Sequence, residues 1–263
     1  MYIKKIMNNS KMLENYNKNG FAVIRNFYSK DKIIKVKKNI LKLTKKKKGK
    51  LFFFEKNKKI LRRIENIASF SKDAEKIINE KKLSKIIFKI LGKNSLFKDK
   101  LNFKYPGTSG FKPHIDGHFL WKDKNNIIKK GWYEYSTKFV SAVIPLEDTN
   151  KKNGCLQISN LDSTHKNLGR SWDDIVKKTY KFTPKIKKNY IKKFNFIPIE
   201  LKVGDILLFD WKICHASKSN LSKDSRMIFY VTFAKNQNNQ NLKKKYYKDK
   251  ITSKNSISNK SLS

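Results

Sequence analysis

The sequence predicts an α+β fold that is mainly β, with helices before about residue 100 and an antiparallel barrel or sandwich after it. Two observations carry this expectation. Near residue 100 the apolar pattern changes from helical spacing to short aromatic and β-branched runs, punctuated by Gly, Pro, Asn and Asp. And 263 residues with 38% hydrophobic content and 18 Phe suffice for one sizeable core but not two. A single domain is expected over 1–240. Residues 241–263 read as a polar Lys/Asn/Ser-rich tail, its last dozen residues disordered.

Taken in order, Ser10 is placed to cap a short helix that Gly20 ends. Phe21–Arg25 reads as a strand. From Lys30 to about Lys48, Ile33, Ile34, Val36, Ile40, Leu41 and Leu43 give one apolar helix face, closed by a KKKK run that the helix dipole favours. Ser71 caps another helix, and Leu83, Ile86, Ile87, Ile90 and Leu91 form a last one, stopped by Gly92. Strands follow at Leu101–Tyr105, Phe139–Leu146, Phe196–Leu201, Ile206–Asp210 and Arg226–Ala234, the pattern of an antiparallel barrel or sandwich. Residues 165–195 break the rhythm and read as a long loop with some helix, where Arg170 and Trp172 are lid candidates.

The two cysteines, Cys155 and Cys214, form no CxxC pattern, which excludes a disulfide framework and a thiolate zinc site. A reducing, cytoplasmic setting is expected. No leader-like N-terminal segment and no apolar run of about 18 residues argue for any membrane role. The net charge of +41 suggests a polyanion partner. Yet only five of the 62 basic residues are arginine, namely Arg25, Arg62, Arg63, Arg170 and Arg226. Readers of nucleic acid lean on the arginine fork, so a lysine-coated solvated surface is expected instead, with a small-molecule substrate.

Among four histidines, His114, His118, His165 and His215, one pair stands out. In Phe111-Lys-Pro-His-Ile-Asp116, residues two apart in an extended chain project from one face, so His114 and Asp116 can grip one ion. His215, ending the apolar run from Gly204, supplies a third ligand. Two neutral imidazoles and a carboxylate leave three open positions on an octahedral metal, the donor set of non-haem Fe(II) oxygenases. Residues 218–224 read as a turn between two strands. A turn centred near Asn220–Leu221 sets Arg226 directly across from His215, with Cβ atoms about 5 Å apart. Arg226 opens an apolar strand, and a buried guanidinium calls for an anion. A dicarboxylate chelating the metal at one end would offer its far carboxylate to that fork. Ser217, on the same face, adds a hydroxyl.

These residues resemble a known family. NGFAVIRNF at 19–27, FKYPGTSGFKPHID at 103–116, IPLEDTNKKNGCLQI at 144–158, GDILLFDWKICHAS at 204–217 and NLSKDSRMIFYVTFA at 220–234 are similar, in order and spacing, to the phytanoyl-CoA dioxygenase family of Fe(II)/2-oxoglutarate oxygenases. The resemblance implies a double-stranded β-helix, or jelly roll, flanked by helices. It implies iron at His114, Asp116 and His215, 2-oxoglutarate at Arg226 with Ser217, and O2 as the oxidant. A carboxylate at 116 implies hydroxylation, since halogenating relatives lack it. The segment NLDSTHK at 160–166 departs from the Pro-Gly-Ser-His-like turn of such proteins, which leaves His165 structural. Within the family the chain looks most like the 2-aminoethylphosphonate dioxygenases, through FKYPGTSGFKPHID, LLFDWKICHASKSN and the KKKYYKDK that follows YVTFA.

Lys104, on the strand entering the metal segment, is a candidate for the cosubstrate anion. His118, two residues past Asp116, is a candidate for the wall of the site or its surroundings. Trp132–Tyr135 offers either a cation–π wall for a substrate ammonium or plain packing. The expected function is hydroxylation of a small polar molecule, with 2-aminoethylphosphonate the leading substrate. Two alternatives stand: a metal-dependent barrel enzyme that uses no cosubstrate, and a non-catalytic basic binding module with a relict site.

Overall fold

The computed structural model describes residues 9–46, 51–55, 60–159, 175–177 and 185–253. His165, Arg170 and Trp172 lie outside the described residues, as does most of the 165–195 loop. The N-terminal part holds α1 (Asn9–Asn19), β1 (Phe21–Ile24), α2 (Lys30–Lys46), β2 (Phe52–Phe54), β3 (Leu61–Glu65), α3 (Lys72–Ile78) and α4 (Lys81–Leu91). After it come β4 (Asn94–Lys104), β5 (Phe111–Ile115), β6 (Leu120–Lys122), β7 (Ile128–Lys130), β8 (Phe139–Pro145) and β9 (Leu156–Ser159). The chain continues through β10 (Val176–Lys177), β11 (Lys185–Ile186), α5 (Lys188–Ile191), β12 (Phe196–Ile199), β13 (Ile206–Asp210), β14 (Cys214–Ser217), β15 (Arg226–Lys235) and α6 (Leu242–Thr252).

Two antiparallel sheets organise the barrel. The larger runs β1-β13-β8-β15-β4-β3-β2 and the smaller β12-β9-β14-β5. Alternation along each strand sorts side chains to two faces of the larger sheet. Leu101, Phe103, Met227, Phe229 and Val231 turn outward and pack with Ile33, Val36 and Ile40 of α2 and Leu83, Ile87 and Leu91 of α4. Val143, Leu207, Phe209, Ile228 and Tyr230 turn inward and meet Leu156, Ile158 and Ile199 of the smaller sheet. Burying one such aliphatic side chain contributes roughly 1.5–3 kcal/mol, so the helices are held to the barrel mainly by this layer. Two facing sheets in this order form the jelly roll that the resemblance implies.

Local signals hold in several places. Ser71 accepts a hydrogen bond from the Ala74 amide and caps α3. Gly20 and Gly92 end α1 and α4 with φ of 75° and 69°, the left-handed conformation that costs glycine least. Other expectations are corrected. Ser10 lies inside the first turn of α1, and Ile34 is exposed on α2. The stretch before residue 100 is not all helix, because Phe52 pairs with Ile64 and Phe53 with Arg63 in a hairpin that extends the larger sheet. The strand entering the site begins at Asn94, not Leu101.

The expected polar tail is corrected over Leu242–Thr252, where α6 is a packed helix; residues 254–263 lie outside the described residues. Leu242, Tyr246 and Lys250, four residues apart, point inward with Tyr247. The Tyr246 ring lies tilted against Phe97 and edge-on to Tyr135, with centroids at 4.8 and 5.6 Å. Tyr247 donates its hydroxyl to the Asp99 carbonyl at 2.9 Å, and Lys250 pairs with buried Glu65. We therefore expect Tyr246→Ala to destabilise the protein by about 3 kcal/mol, the cost of emptying a buried aromatic site. Denaturant unfolding measures this, and an unchanged midpoint would mean that the segment is a tail after all.

Candidate active site

The site sits between the sheets. Its first half is metal-like. β5 and β14 are neighbours in the smaller sheet, with His114 directly paired to His215 and Cys214 to Ile115. Two residues past His114, Asp116 comes from the end of the same extended segment, as the spacing predicts. Potential ligand atoms of His114, Asp116 and His215 all lie within 4.8 Å of one another. His215 Nε2 is 3.9 Å from Asp116 Oδ2, and the two imidazole centroids are 4.2 Å apart.

Both rings are oriented the same way. Nδ1 of His114 meets the Lys112 carbonyl at 2.7 Å, and Nδ1 of His215 meets the Ile213 carbonyl at 3.0 Å. A carbonyl accepts only from N–H, which puts the proton on Nδ1 and leaves each Nε2 lone pair for a metal. Protonation states agree. Burial, then the neighbouring imidazole, pushes His114 down to about 3. Burial likewise lowers His215. Burial alone would raise Asp116, but Lys100 and the two imidazoles outweigh it and hold the carboxyl well below the usual carboxylate range. Two neutral imidazoles beside one ionised carboxylate suit a divalent ion, and oxygen and imidazole donors suit iron.

The second half is cationic. Arg226, 1% exposed, starts β15 directly opposite Lys104 of β4. Arg226 Nη1 donates to the Gly154 carbonyl, and its Nε has no partner among the described residues. Burial depresses its pKa, and only the Tyr230 phenol and Cys155 thiol oppose that. Arg62, 2% exposed, leaves Nε and one Nη equally unpartnered, 5.1 Å over the Phe111 ring. Lys104 Nζ donates to the carbonyls of Gly154 and Lys218 at 3.2 and 2.5 Å and to Ser217 Oγ at 2.8 Å. Burial, then the charges of Arg226 and Arg62, pulls its pKa down to about 6. The three oxygen atoms around Lys104 Nζ take up its donor capacity, so it places Ser217 and is charged only below about pH 6 or when an anion binds beside it. Ser217 Oγ also accepts from the Phe111 amide at 3.2 Å, which leaves its own proton to donate.

One expectation about this half is wrong in its geometry. Arg226 does not lie across from His215 in a hairpin: β14 pairs with β5 and β9, and β15 with β4 and β8, in different sheets. Asn220 is the reason. Fully buried, its side chain donates to the Lys104 carbonyl at 3.0 Å, and its amide to the Thr108 carbonyl at 3.0 Å. These bonds carry the 218–224 connection from one sheet to the other. Arg226 still points inward, facing the smaller sheet instead of extending it.

The other candidates separate. His118 Nδ1 lies 3.1 Å from the Asp116 carbonyl, and its Nε2 is 2.9 Å from the Tyr133 hydroxyl, so it is not in the ligand group. His118 and Tyr133 line a cavity of about 510 Å³ with Gly117, Phe119, Ile128 and Lys130. Trp132 and Tyr135 pack instead with Phe97, Phe139, Trp211 and Tyr246. Sequence reasoning missed Lys100, Arg62 and Tyr230. The signal for Lys100 was alternation: with Leu101 and Phe103 outward, Lys98, Lys100, Asn102 and Lys104 must share the other face.

Comparison with known proteins agrees with this picture. Residues 16–228 match the phytanoyl-CoA dioxygenase (PhyH) family model. A 2-aminoethylphosphonate dioxygenase from an uncultured bacterium is 27% identical over 195 residues, covering 73% of this chain and 65% of that protein. A methylphosphonate hydroxylase of Gimesia maris is 22% identical over 193 residues, covering 72% and 64%. This chain thus spans slightly under two thirds of the length of either relative. Among solved structures, EctD from S. alaskensis with 2-oxoglutarate and 5-hydroxyectoine superposes with a TM-score of 0.68 at 15% identity, over 89% of this chain and 78% of that one. That likeness shows the fold. Since the family model spans both halves of the site and most of the barrel, the chain belongs to the phytanoyl-CoA dioxygenase family.

Proposed function

We propose that this chain is an Fe(II)- and 2-oxoglutarate-dependent oxygenase that hydroxylates a small polar molecule. One observation carries the reading. An ionised carboxylate and two neutral imidazoles converge at one end of a buried face, and the other end holds Arg226, Arg62 and Lys104. None of these cations pairs with a carboxylate among the described residues. Leaving a guanidinium buried and unpaired is costly, so this end is built for an anion arriving from outside. A dicarboxylate that chelates a metal at one end answers both halves together. Without such a cosubstrate Arg226 has only the Gly154 carbonyl, and Arg62 only the pull of Glu55, to offset burial of their charge.

In this reading His114, Asp116 and His215 hold iron. Bound iron, with 2-oxoglutarate and O2, supplies the oxidation of C–H to C–OH as 2-oxoglutarate becomes succinate and CO2. The chain supplies placement. Arg226 receives the far carboxylate, Ser217 donates its free proton, and Lys104 fixes Ser217 and Gly154. Gly154 itself, at φ 70°, is constrained: a Cβ there would stand 2.4 Å from the Lys218 carbonyl oxygen, disturbing the strand that carries Ser217. The buried free thiols of Cys155 and Cys214 suit a reducing, cytoplasmic setting. Among the described residues no helix is long and apolar enough to cross a membrane.

The names of two relatives, a 2-aminoethylphosphonate dioxygenase and a methylphosphonate hydroxylase, make 2-aminoethylphosphonate the leading substrate. The test incubates iron-loaded protein with 2-oxoglutarate, O2 and this phosphonate and looks for a hydroxylated product with coupled succinate. Coupled turnover with another small molecule, and none with the phosphonate, removes the substrate and keeps the oxygenase.

A further inference from the structure

The inward row of β4 consists of Lys98, Lys100, Asn102 and Lys104, all buried. Three of them have protein partners. Lys98 pairs with Glu65 at 3.5 Å, Asn102 accepts from Arg63 Nε at 3.0 Å, and Lys104 has its three oxygen acceptors. Lys100 forms neither a hydrogen bond nor an ion pair with any described residue. It lies with Nζ 5.0 Å from the centre of the Tyr230 ring, the residue directly across the strand pair. Glu65 also attracts Lys100 but is already paired with Lys250, Lys98 and Arg63. Among the described residues the other acid that attracts it is Asp116.

That position is untenable once a divalent metal takes Asp116. An ammonium beside a dication in a low-dielectric interior is repelled, and of the described acids only Glu65, already paired with three cations, still draws it. We propose that Lys100 holds an oxyanion of the prime substrate, a phosphonate or carboxylate, placed beside the metal. The substrate is then a small molecule whose anionic group lies close to the C–H that is oxidised. This rests on the metal and 2-oxoglutarate assignment above. Lys100 is poorly placed for the far carboxylate of 2-oxoglutarate, because Arg226 pairs with Lys104, four residues or about 13 Å along the strand. The triad lies nearer Lys100: Tyr230, directly across from it, packs with Phe209 and Ile158, the Phe209 ring is 5.0 Å from the His215 imidazole, and Ile158 pairs with His215.

The test uses Zn(II)-loaded protein, titrated calorimetrically with 2-oxoglutarate and then, with it bound, with 2-aminoethylphosphonate, methylphosphonate and β-alanine. Which probes bind separates phosphonate from carboxylate. Lys100→Met should weaken the anionic probes by about 100-fold, as expected for losing one partner of a buried charged pair. Lys100→Arg should restore most of that affinity. For 2-oxoglutarate, Lys100→Met should stay within about threefold of wild type, as independent sites do. Three results overturn the proposal: wild type binds 2-oxoglutarate but none of the anions; Lys100→Met leaves anion affinity unchanged and only lowers the melting temperature of the metal-free protein, as a mere counter-ion of Asp116 would; or it weakens 2-oxoglutarate as much as the phosphonate. If wild type binds no 2-oxoglutarate at all, the oxygenase reading fails first, at the first titration.

Discussion

Asp116→Ala is expected to abolish hydroxylation and to weaken metal binding by more than about 100-fold, beyond what losing an outer-sphere partner costs. It removes the only anionic ligand and leaves two neutral imidazoles facing a dication across a buried face that also holds Lys100. The fold should survive in the metal-free protein. Asp116 is 8% exposed, and Lys100 is the largest charge that offsets its desolvation, so its loss removes a buried charge instead of a packing element. Metal titration, far-UV circular dichroism and product formation check the three parts. Near-wild-type turnover at saturating iron contradicts the assignment.

Arg226→Ala is expected to weaken 2-oxoglutarate binding by about 3–5 kcal/mol, the cost of breaking a buried charge pair. Arg226→Lys should recover part of this, since an ammonium supplies the charge but not the two-pronged contact. The same anion leaves a pH signature through Lys104. Its pKa is depressed to about 6 by burial and by Arg226 and Arg62, and a bound carboxylate raises it. Below pH 6 Lys104 is charged with or without ligand, so affinity is at its maximum and flat. Above that, binding takes up a proton and affinity declines with rising pH. Calorimetry in two buffers of different ionisation enthalpy reads the uptake. Unchanged saturation in Arg226→Ala would place the cosubstrate elsewhere.

The pairing of His114 with Asp116 was legible because one rule suffices: in an extended chain, residues 114 and 116 share a face whatever the tertiary fold. Arg226 was legible as a buried cation for a similar reason, from the apolar strand it opens. Its partner strand was not legible. Spacing cannot distinguish a connection that reverses within one sheet from one that crosses between sheets, and the choice here rests on buried Asn220 and its bonds to the β4–β5 loop. Lys100 was hidden by composition, as one lysine among many, although β4 alternates. Arginine scarcity was the unread signal: Arg62, Arg63 and Arg226, three of five arginines, gather on the inner face or beside Phe111. The α6 helix was missed because Lys250, polar in sequence, is buried against Glu65, a partner 185 residues away.

In the proposed reaction, metal and 2-oxoglutarate act together in this barrel. The most direct measurement follows O2 uptake and succinate release by Fe(II)-loaded protein, with and without 2-oxoglutarate. O2 uptake is expected to need both iron and 2-oxoglutarate and to yield one succinate per O2 consumed. O2 uptake that proceeds without 2-oxoglutarate, or 2-oxoglutarate left intact by iron-loaded protein across the substrate screen, would contradict it.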